Sequence, residues 1–193
     1  MRKIVWLLFG VVAAAAHGQE PVRVLIDTEL GEIEVEVDVD VAKAPGTAAN
    51  FLRYVDGKFY DGGQFHRTVT MQNQPKNDVK IEVIQASINE AKQDEQFEAI
   101  TLERTTKTGL LHKDGVISMA RGEPDSATSS FFFCIGDQPE LDFGGARNPD
   151  GQGFAAFGRV TRGMDVVKTI QMAPHEEQRL TPPVGIRSVR RFP

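Results

Sequence analysis

Alternation of apolar and polar residues dominates the first folded stretch of the chain. "VRVLID" places Val22, Val24 and Ile26 on one side, "TELG" makes a turn, and "EIEVEV" sets Ile33, Val35 and Val37 against Glu32, Glu34 and Glu36. Period two with one charged face predicts half-solvated antiparallel strands. The period then changes. In "APGTAANFLRYVDG", Ala48, Phe51, Leu52 and Val55 recur at helical spacing, with Thr47 as the expected N-cap and Gly57 as the stop. "YDGGQFHRTV" returns to turn and strand. From Met71 to Glu103 the pattern is polar and irregular: "QNQPKND" predicts a loop, "KIEVIQ" a short strand, and "INEAKQDEQFEA" an acidic loop or short helix. Further strands are expected after Gly115, at "FFFCI", at "FAAFGRV" and at "VGIRSVRRF". A second helix is expected over "GMDVVKTIQ", where Val166, Val167 and Ile170 share a face. Many short strands and two short helices point to a mainly β chain closed into a barrel, not to an alternating β/α fold.

The pattern before Gln19 is of another kind. A basic "MRK", an apolar "IVWLLFGVVAAAA" and the small residues of "AHG" have the layout of a signal peptide over residues 1–18, leaving one domain over 19–193. The apolar run is shorter than the roughly 20 residues that cross a bilayer. No later segment is apolar enough to span one, so export to a periplasm or to the outside is expected, without membrane insertion after cleavage. Cleavage removes Arg2 and Lys3 and takes the formal net charge from −5 to −7. An acidic chain without basic blocks argues against nucleic acid as a partner, because neutralising phosphates needs clustered Lys and Arg. The remaining length suits a single core, and a monomer is expected. Cys134 is the one cysteine, so no intrachain disulfide can form; its apolar surroundings predict a buried, inert thiol.

Most catalytic signatures are missing. The chain lacks G-x-S-x-G, H-E-x-x-H and glycine-rich nucleotide loops. His66, His112 and His175 stand without ligand-like spacing, which argues against zinc, and "HEE" from His175 reads as a solvated turn. Ser126, Ser129 and Ser130 cluster in "DSATSS" with no histidine nearby in the sequence. Asp125 and these serines read as local loop ties, and Asp142 and Asp150 as turn formers. In "GGQFHRTV" two functional side chains, His66 and Arg67, are adjacent. Strand alternation predicts that they face opposite ways, so only one joins a given pocket.

Taken in order, "APGTAANFLRYVDGKFYDGGQFHR", "HKDGVISMAR", "DSATSSFFFCIGD", "LDFGG" and "FAAFGRVTRGMDVV" resemble the cyclophilin-type peptidyl-prolyl cis-trans isomerases, and among them the bacterial exported branch. The resemblance covers most of the chain from Val22 onward. It implies a closed eight-stranded antiparallel barrel capped by two helices, and rotation about X–Pro bonds of polypeptide substrates with no cofactor, no metal and no covalent intermediate. Arg67 matches the family's catalytic arginine. By the same matching Phe132 floors the proline pocket, Leu141 and Val83 add walls, and Gln85 holds Arg67 or the substrate backbone. Ala120 and Arg121 lie on the edge where the family binds peptide backbone, and His66 is a wall or orienting residue. Phe131 and Phe133, on the other face of their strand, are expected in the core.

The sequence also departs from the family. A longer polar stretch separates Arg67 from "EVIQAS" and leaves Glu82 where an aromatic is common. Ser130 stands where many members have glutamine, Phe154 where many have histidine, and Glu140 where Trp or Phe is frequent. These changes predict a less apolar pocket with fewer donors, and Glu140 predicts poor cyclosporin binding. They keep open a second reading, a peptide binder for extended Pro-containing segments with little or no isomerase activity.

Overall fold

The computed structural model describes residues 21–38 and 43–193. The expected signal peptide, residues 1–18, lies outside the described residues. Among the described residues nine strands form: β1 (Val22–Thr28), β2 (Gly31–Val37), β3 (Gln64–Val69), β4 (Val83–Ser87), β5 (Val116–Met119), β6 (Phe131–Cys134), β7 (Ala155–Arg162), β8 (His175–Glu176) and β9 (Arg179–Arg191). Every pairing is antiparallel. Eight strands close in the order β1-β2-β7-β5-β6-β4-β3-β9 through a β1–β9 pairing, and β8 only extends β9 as a hairpin. This is the expected closed eight-stranded barrel. Helices α1 (Pro45–Asp56) and α3 (Met164–Gln171) pack on it, and a one-turn helix, α2 (Thr105–Thr108), was not foreseen.

The charged face of β2 is met across the sheet by arginines. Arg159 pairs with Glu36 at 3.0 Å, Arg23 with Glu34 at 3.3 Å, and Arg162 with both Glu32 and Glu34. Ile33, Val35 and Val37 point the other way, into the main core. Helix α1 is entered differently from the expectation. Its first turn holds Pro45, suited to a position whose N–H would go unused, and Ala44 occupies the cap without a side-chain bond. Thr47 is buried inside the helix. The missing cap comes from Glu103, whose carboxylate accepts from Gly46 N at 3.1 Å, Thr47 N at 2.7 Å and Thr47 Oγ1 at 2.6 Å. A carboxylate at the positive end of a helix both fills orphan donors and opposes the dipole. Gly57 ends the helix as expected.

Strands β4 and β6 serve two cores. Ile84, Ala86, Phe131 and Phe133 point into the barrel and join its main cluster. Val83, Phe132 and Cys134 point outward and pack with Val69, Ile81 and Leu141 in a second, smaller cluster. That cluster has its own cover: the chain between β3 and β4, and the loop from Asp142 to Gly153. Cys134 sits within it fully buried, and burial pushes its thiol pKa far above the ordinary value. No helix among the described residues is long and apolar enough to cross a membrane.

Candidate active site

Three neighbouring strands place three side chains in one row. Arg67 on β3 pairs in register with Gln85 on β4, and Gln85 pairs with Phe132 on β6. Strand pleating sends all three to the outer face. They line a cavity of about 350 Å³ together with Ile81, Val83, Ala120, Arg121, Leu141 and Phe154. Phe132 is the floor; Phe154 stands edge-on to it, ring centroids 5.4 Å apart at 88°. Eight of the ten residues proposed from the sequence thus meet here. Asn77, Arg147 and Asn148 complete the wall.

His66 and Ser130 do not join them. They line a second, larger cavity of about 1030 Å³, with Gln64, Ser87, Asn89, Glu177 and Arg179 among its walls. Arg67 borders both. The expectation that His66 and Arg67 face opposite ways fails because β3 is irregular: its register with β4 and β9 shifts between Phe65 and Arg67. A bulge of this kind breaks strict alternation. Phe65 keeps to the core, while His66 and Arg67 both reach the larger cavity and Arg67 alone reaches the smaller one. The His66 ring is held below its ordinary pKa, first by burial and then by the Arg67 charge, and its Nδ1 is buried with no hydrogen-bond partner.

Arg67 is held by amides. Its Nη1 donates to Gln85 Oε1 at 2.9 Å, while Nε and Nη2 donate to Gln178 Oε1 at 3.0 and 2.6 Å. Gln178 is fixed in turn by donating to Asn73 O at 3.4 Å. A guanidinium carries five N–H groups; three are used, so two remain to act. Amide oxygens orient the fork without neutralising it, which a carboxylate would do. Burial, and then the Arg147 charge, lower the Arg67 pKa, yet arginine stays protonated at any physiological pH. Gln178 was not found from the sequence. It lies in the β8–β9 hairpin, 111 residues from Arg67, and no local pattern links the two.

The pocket is partly polar, as expected, but not through Glu82 or Glu140. Glu82 turns away and accepts from Gln171 Nε2 at 3.3 Å, and Ile81 takes the wall position beside it. Glu140 accepts from Ala146 N at 2.8 Å and is not part of the lining. Phe154 adds a second aromatic face where a ring nitrogen was the family's habit. Glu82 and Glu140 therefore add no polarity to the pocket, whose polar half comes instead from Arg67, Asn77, Gln85, Arg121, Arg147 and Asn148.

Behind the floor lies an unexpected polar chain. His112 Nδ1 pairs with Asp142 Oδ1 at 2.7 Å and His112 Nε2 with Ser118 Oγ at 2.9 Å. The residue types are those of a hydrolytic triad, but His112 and Ser118 are buried with no path to substrate. The imidazole lies parallel to the Phe132 ring, 6.0 Å between centroids at 14°. This chain backs the floor. Asp142 is thus more than a turn former, and so is Asp150, which forks onto Arg121 at 2.7 and 2.9 Å. The Arg121 guanidinium holds the Asp150 carboxyl at a pKa of about 2. Asp125 also acts at a distance, accepting from Leu102 N at 2.7 Å, whereas Ser126 does tie its own loop. Among the described residues no three His, Cys, Asp or Glu side chains stand together as metal ligands.

Comparison with known proteins places this geometry. The family model described as "Cyclophilin type peptidyl-prolyl cis-trans isomerase/CLD" matches residues 23–191. The chain is 35% identical over 175 residues to a peptidyl-prolyl cis-trans isomerase of Acinetobacter baylyi, covering 90% of this chain and 85% of that one. It is 34% identical to peptidyl-prolyl cis-trans isomerase A of Dickeya dadantii, covering 80% and 73%. In fold it is similar to a crystal structure of a Cryptosporidium parvum cyclophilin type peptidyl-prolyl cis-trans isomerase, with a TM-score of 0.70, 18% identity, and coverage of 90% of this chain and 98% of that one. A second structure of that protein, determined in the presence of the dipeptide Ala-Pro, matches with a TM-score of 0.69.

Proposed function

The chain belongs to the cyclophilin-type peptidyl-prolyl cis-trans isomerase family, and from that premise we propose that the smaller cavity seats proline while Arg67 accelerates rotation about the preceding bond. Amide resonance sets a barrier of about 18–20 kcal/mol, and uncatalysed X–Pro exchange takes tens to hundreds of seconds. Reaching milliseconds needs roughly 10⁴- to 10⁵-fold acceleration, or about 5.5–7 kcal/mol. As the bond twists, conjugation is lost and the prolyl nitrogen regains a lone pair. A donor aimed there binds the twisted amide better than either planar form, which is what accelerates the step. One charge-assisted hydrogen bond supplies only about 1.5–3 kcal/mol. The rest falls to the apolar surface that Phe132, Phe154, Leu141, Val83 and Ile81 offer the ring, from which a bound proline displaces water.

The observation that carries this reading is the Arg67–Gln85–Phe132 row, which puts a fixed, un-neutralised cation and a ring-sized apolar floor in one cavity. A protease-free NMR exchange assay on an X–Pro peptide tests it. Acceleration by the wild type that is lost in Arg67→Ala supports the isomerase. Peptide binding without acceleration in either protein supports the binder reading.

Export, and a role in folding exported proteins, are part of the same proposal; the pattern of residues 1–18 supports them. Recovery of the protein from the cell envelope with its N-terminus near Gln19 is the expected outcome. A monomer is proposed as well. Closure of β1 on β9 leaves the two-residue β8 as the barrel's one free edge among the described strands, and a closed barrel gives other chains little to pair with. Sedimentation at the mass of one chain checks this.

A further inference from the structure

Three guanidinium groups line the proline-sized cavity, and they differ in how their charge is met. Arg121 is fully matched. Its side chain is 1% exposed, forks onto Asp150, donates through Nε to Gly153 O at 2.7 Å, and lies over the Phe154 ring. Arg67 is held by the two glutamines. Arg147, from the loop before β7, donates through Nη1 to Gln74 Oε1 at 3.0 Å and to Val79 O at 2.8 Å. Gln74 is itself buried and bonded to Thr70 O and Ile81 O, so the anchor is rigid. Among the described residues no carboxylate pairs with Arg67 or Arg147. The acids of the same loop are engaged elsewhere: Asp150 with Arg121, Asp142 with His112 and Glu140 with Ala146 N.

Two partly desolvated cations therefore share one small cavity without a counter-charge, and they are close enough for Arg147 to depress the ionisation of Arg67. An anion entering that cavity cancels a field which water there cannot screen fully. The geometry of Arg147 suits a carboxylate. Both Nη1 hydrogens are taken by the protein, which leaves the Nε and Nη2 edge, a side-on fork matching two carboxylate oxygens.

Building on the isomerase reading, we propose that Arg147 is a specificity-determining residue that selects X–Pro substrates carrying a carboxylate on the residue beside the proline. That carboxylate is either an Asp or Glu side chain or the free chain end directly after the proline-containing pair. Arg121, already neutralised by Asp150, sets no such preference at the β5 wall. The selection is electrostatic, so it weakens with salt.

The test is NMR exchange on end-blocked peptides carrying Glu, Gln or Lys before or after proline, with a free-acid peptide as a separate arm. The Glu peptide at one flank is expected to show kcat/KM about threefold to tenfold above its Gln twin at low salt, with the Lys peptide lower still. Raising salt to about 0.5 M shrinks the ratio. Arg147→Gln removes it and Arg147→Lys keeps part of it. A gain confined to the free-acid peptide assigns the preference to the chain end; a gain with blocked Glu assigns it to the side chain. Equal rates for Glu, Gln and Lys in the wild type together with no gain for the free-acid peptide overturn the proposal, as does a preference left unchanged in a folded Arg147→Gln. If no peptide is accelerated, the isomerase reading has failed instead, and the same peptides' affinities by shift titration still decide the role of Arg147.

Discussion

Two cavities meet at Arg67, one of about 1030 Å³ and one of about 350 Å³, and their walls differ more than their sizes. The larger is bordered by Glu90, Glu176, Glu177, Gln64, His66 and Arg179, groups that hold water. The smaller has an aromatic floor and aliphatic sides, with three arginines, Asn77, Gln85 and Asn148 making up the rest of its wall. Rotation of a prolyl bond moves no proton and breaks no covalent bond. It needs an apolar surface for a five-membered ring and a fixed donor over the nitrogen, and of the two only the smaller cavity sets aromatic rings, Phe132 and Phe154, beside Arg67. Volume is a poor guide to chemistry here. What the larger cavity contributes is support: Gln178 sits on its border and steers Arg67 toward its neighbour.

Changes at the small cavity should hurt most. Phe132→Ala removes a side chain that is 4% exposed and links the pocket floor to the second core. Truncations of this kind cost about 3–5 kcal/mol, so a large fall in denaturation midpoint is expected together with loss of isomerisation. A midpoint near that of the wild type would mean that the outer cluster is dispensable. Gln178→Ala acts from the border. It removes two of the three bonds that orient Arg67 while leaving the guanidinium in place. A loss of about 1 kcal/mol in transition-state stabilisation, roughly fivefold in kcat/KM, is expected, with peptide affinity almost unchanged. Equal falls in rate and affinity would place Gln178 in the substrate site itself.

The smallest effect belongs to the large cavity. Burial, then Arg67, hold the His66 ring below its ordinary value of 6.5. The folded protein therefore favours the neutral ring. Its contribution to stability is complete above pH 6.5 and declines as pH falls through the lowered folded value, because the unfolded chain then binds the proton more readily. His66→Gln should flatten that part of the stability profile, read from urea midpoints between about pH 5 and 7.5. A mutant profile parallel to the wild type would contradict the environment described for the ring.

Local pattern was informative where one strand or helix decides the outcome. The alternation of β1 and β2, the helical spacing of α1 and the split of Phe132 from Phe131 and Phe133 all follow from side-chain periodicity. Contacts made across the chain were not legible. Glu103 caps a helix 56 residues away, Asp150 locks Arg121, and His112 bridges Asp142 and Ser118; none leaves a periodic trace. The bulge at His66 was equally hidden, since nothing in "GGQFHRTV" says where the register slips. Arg67 itself was found through family resemblance, because by composition and spacing alone it is one more arginine on a strand. The departures at Glu82 and Glu140 misled for a physical reason. A charged residue at a pocket position in the sequence turns outward when a backbone N–H or an amide outside can bind it.

The central claim is that Arg67 favours the twisted bond and not the bound peptide. The direct measurement compares two quantities for one X–Pro peptide with wild type and Arg67→Ala: its dissociation constant by NMR titration, and its cis–trans exchange rate at saturation. The account expects the bound exchange rate to fall by about 10- to 150-fold, the equivalent of one charge-assisted hydrogen bond, while the dissociation constant moves by less than about threefold. An unchanged exchange rate in the bound peptide, or a loss carried wholly by weaker binding, would contradict it.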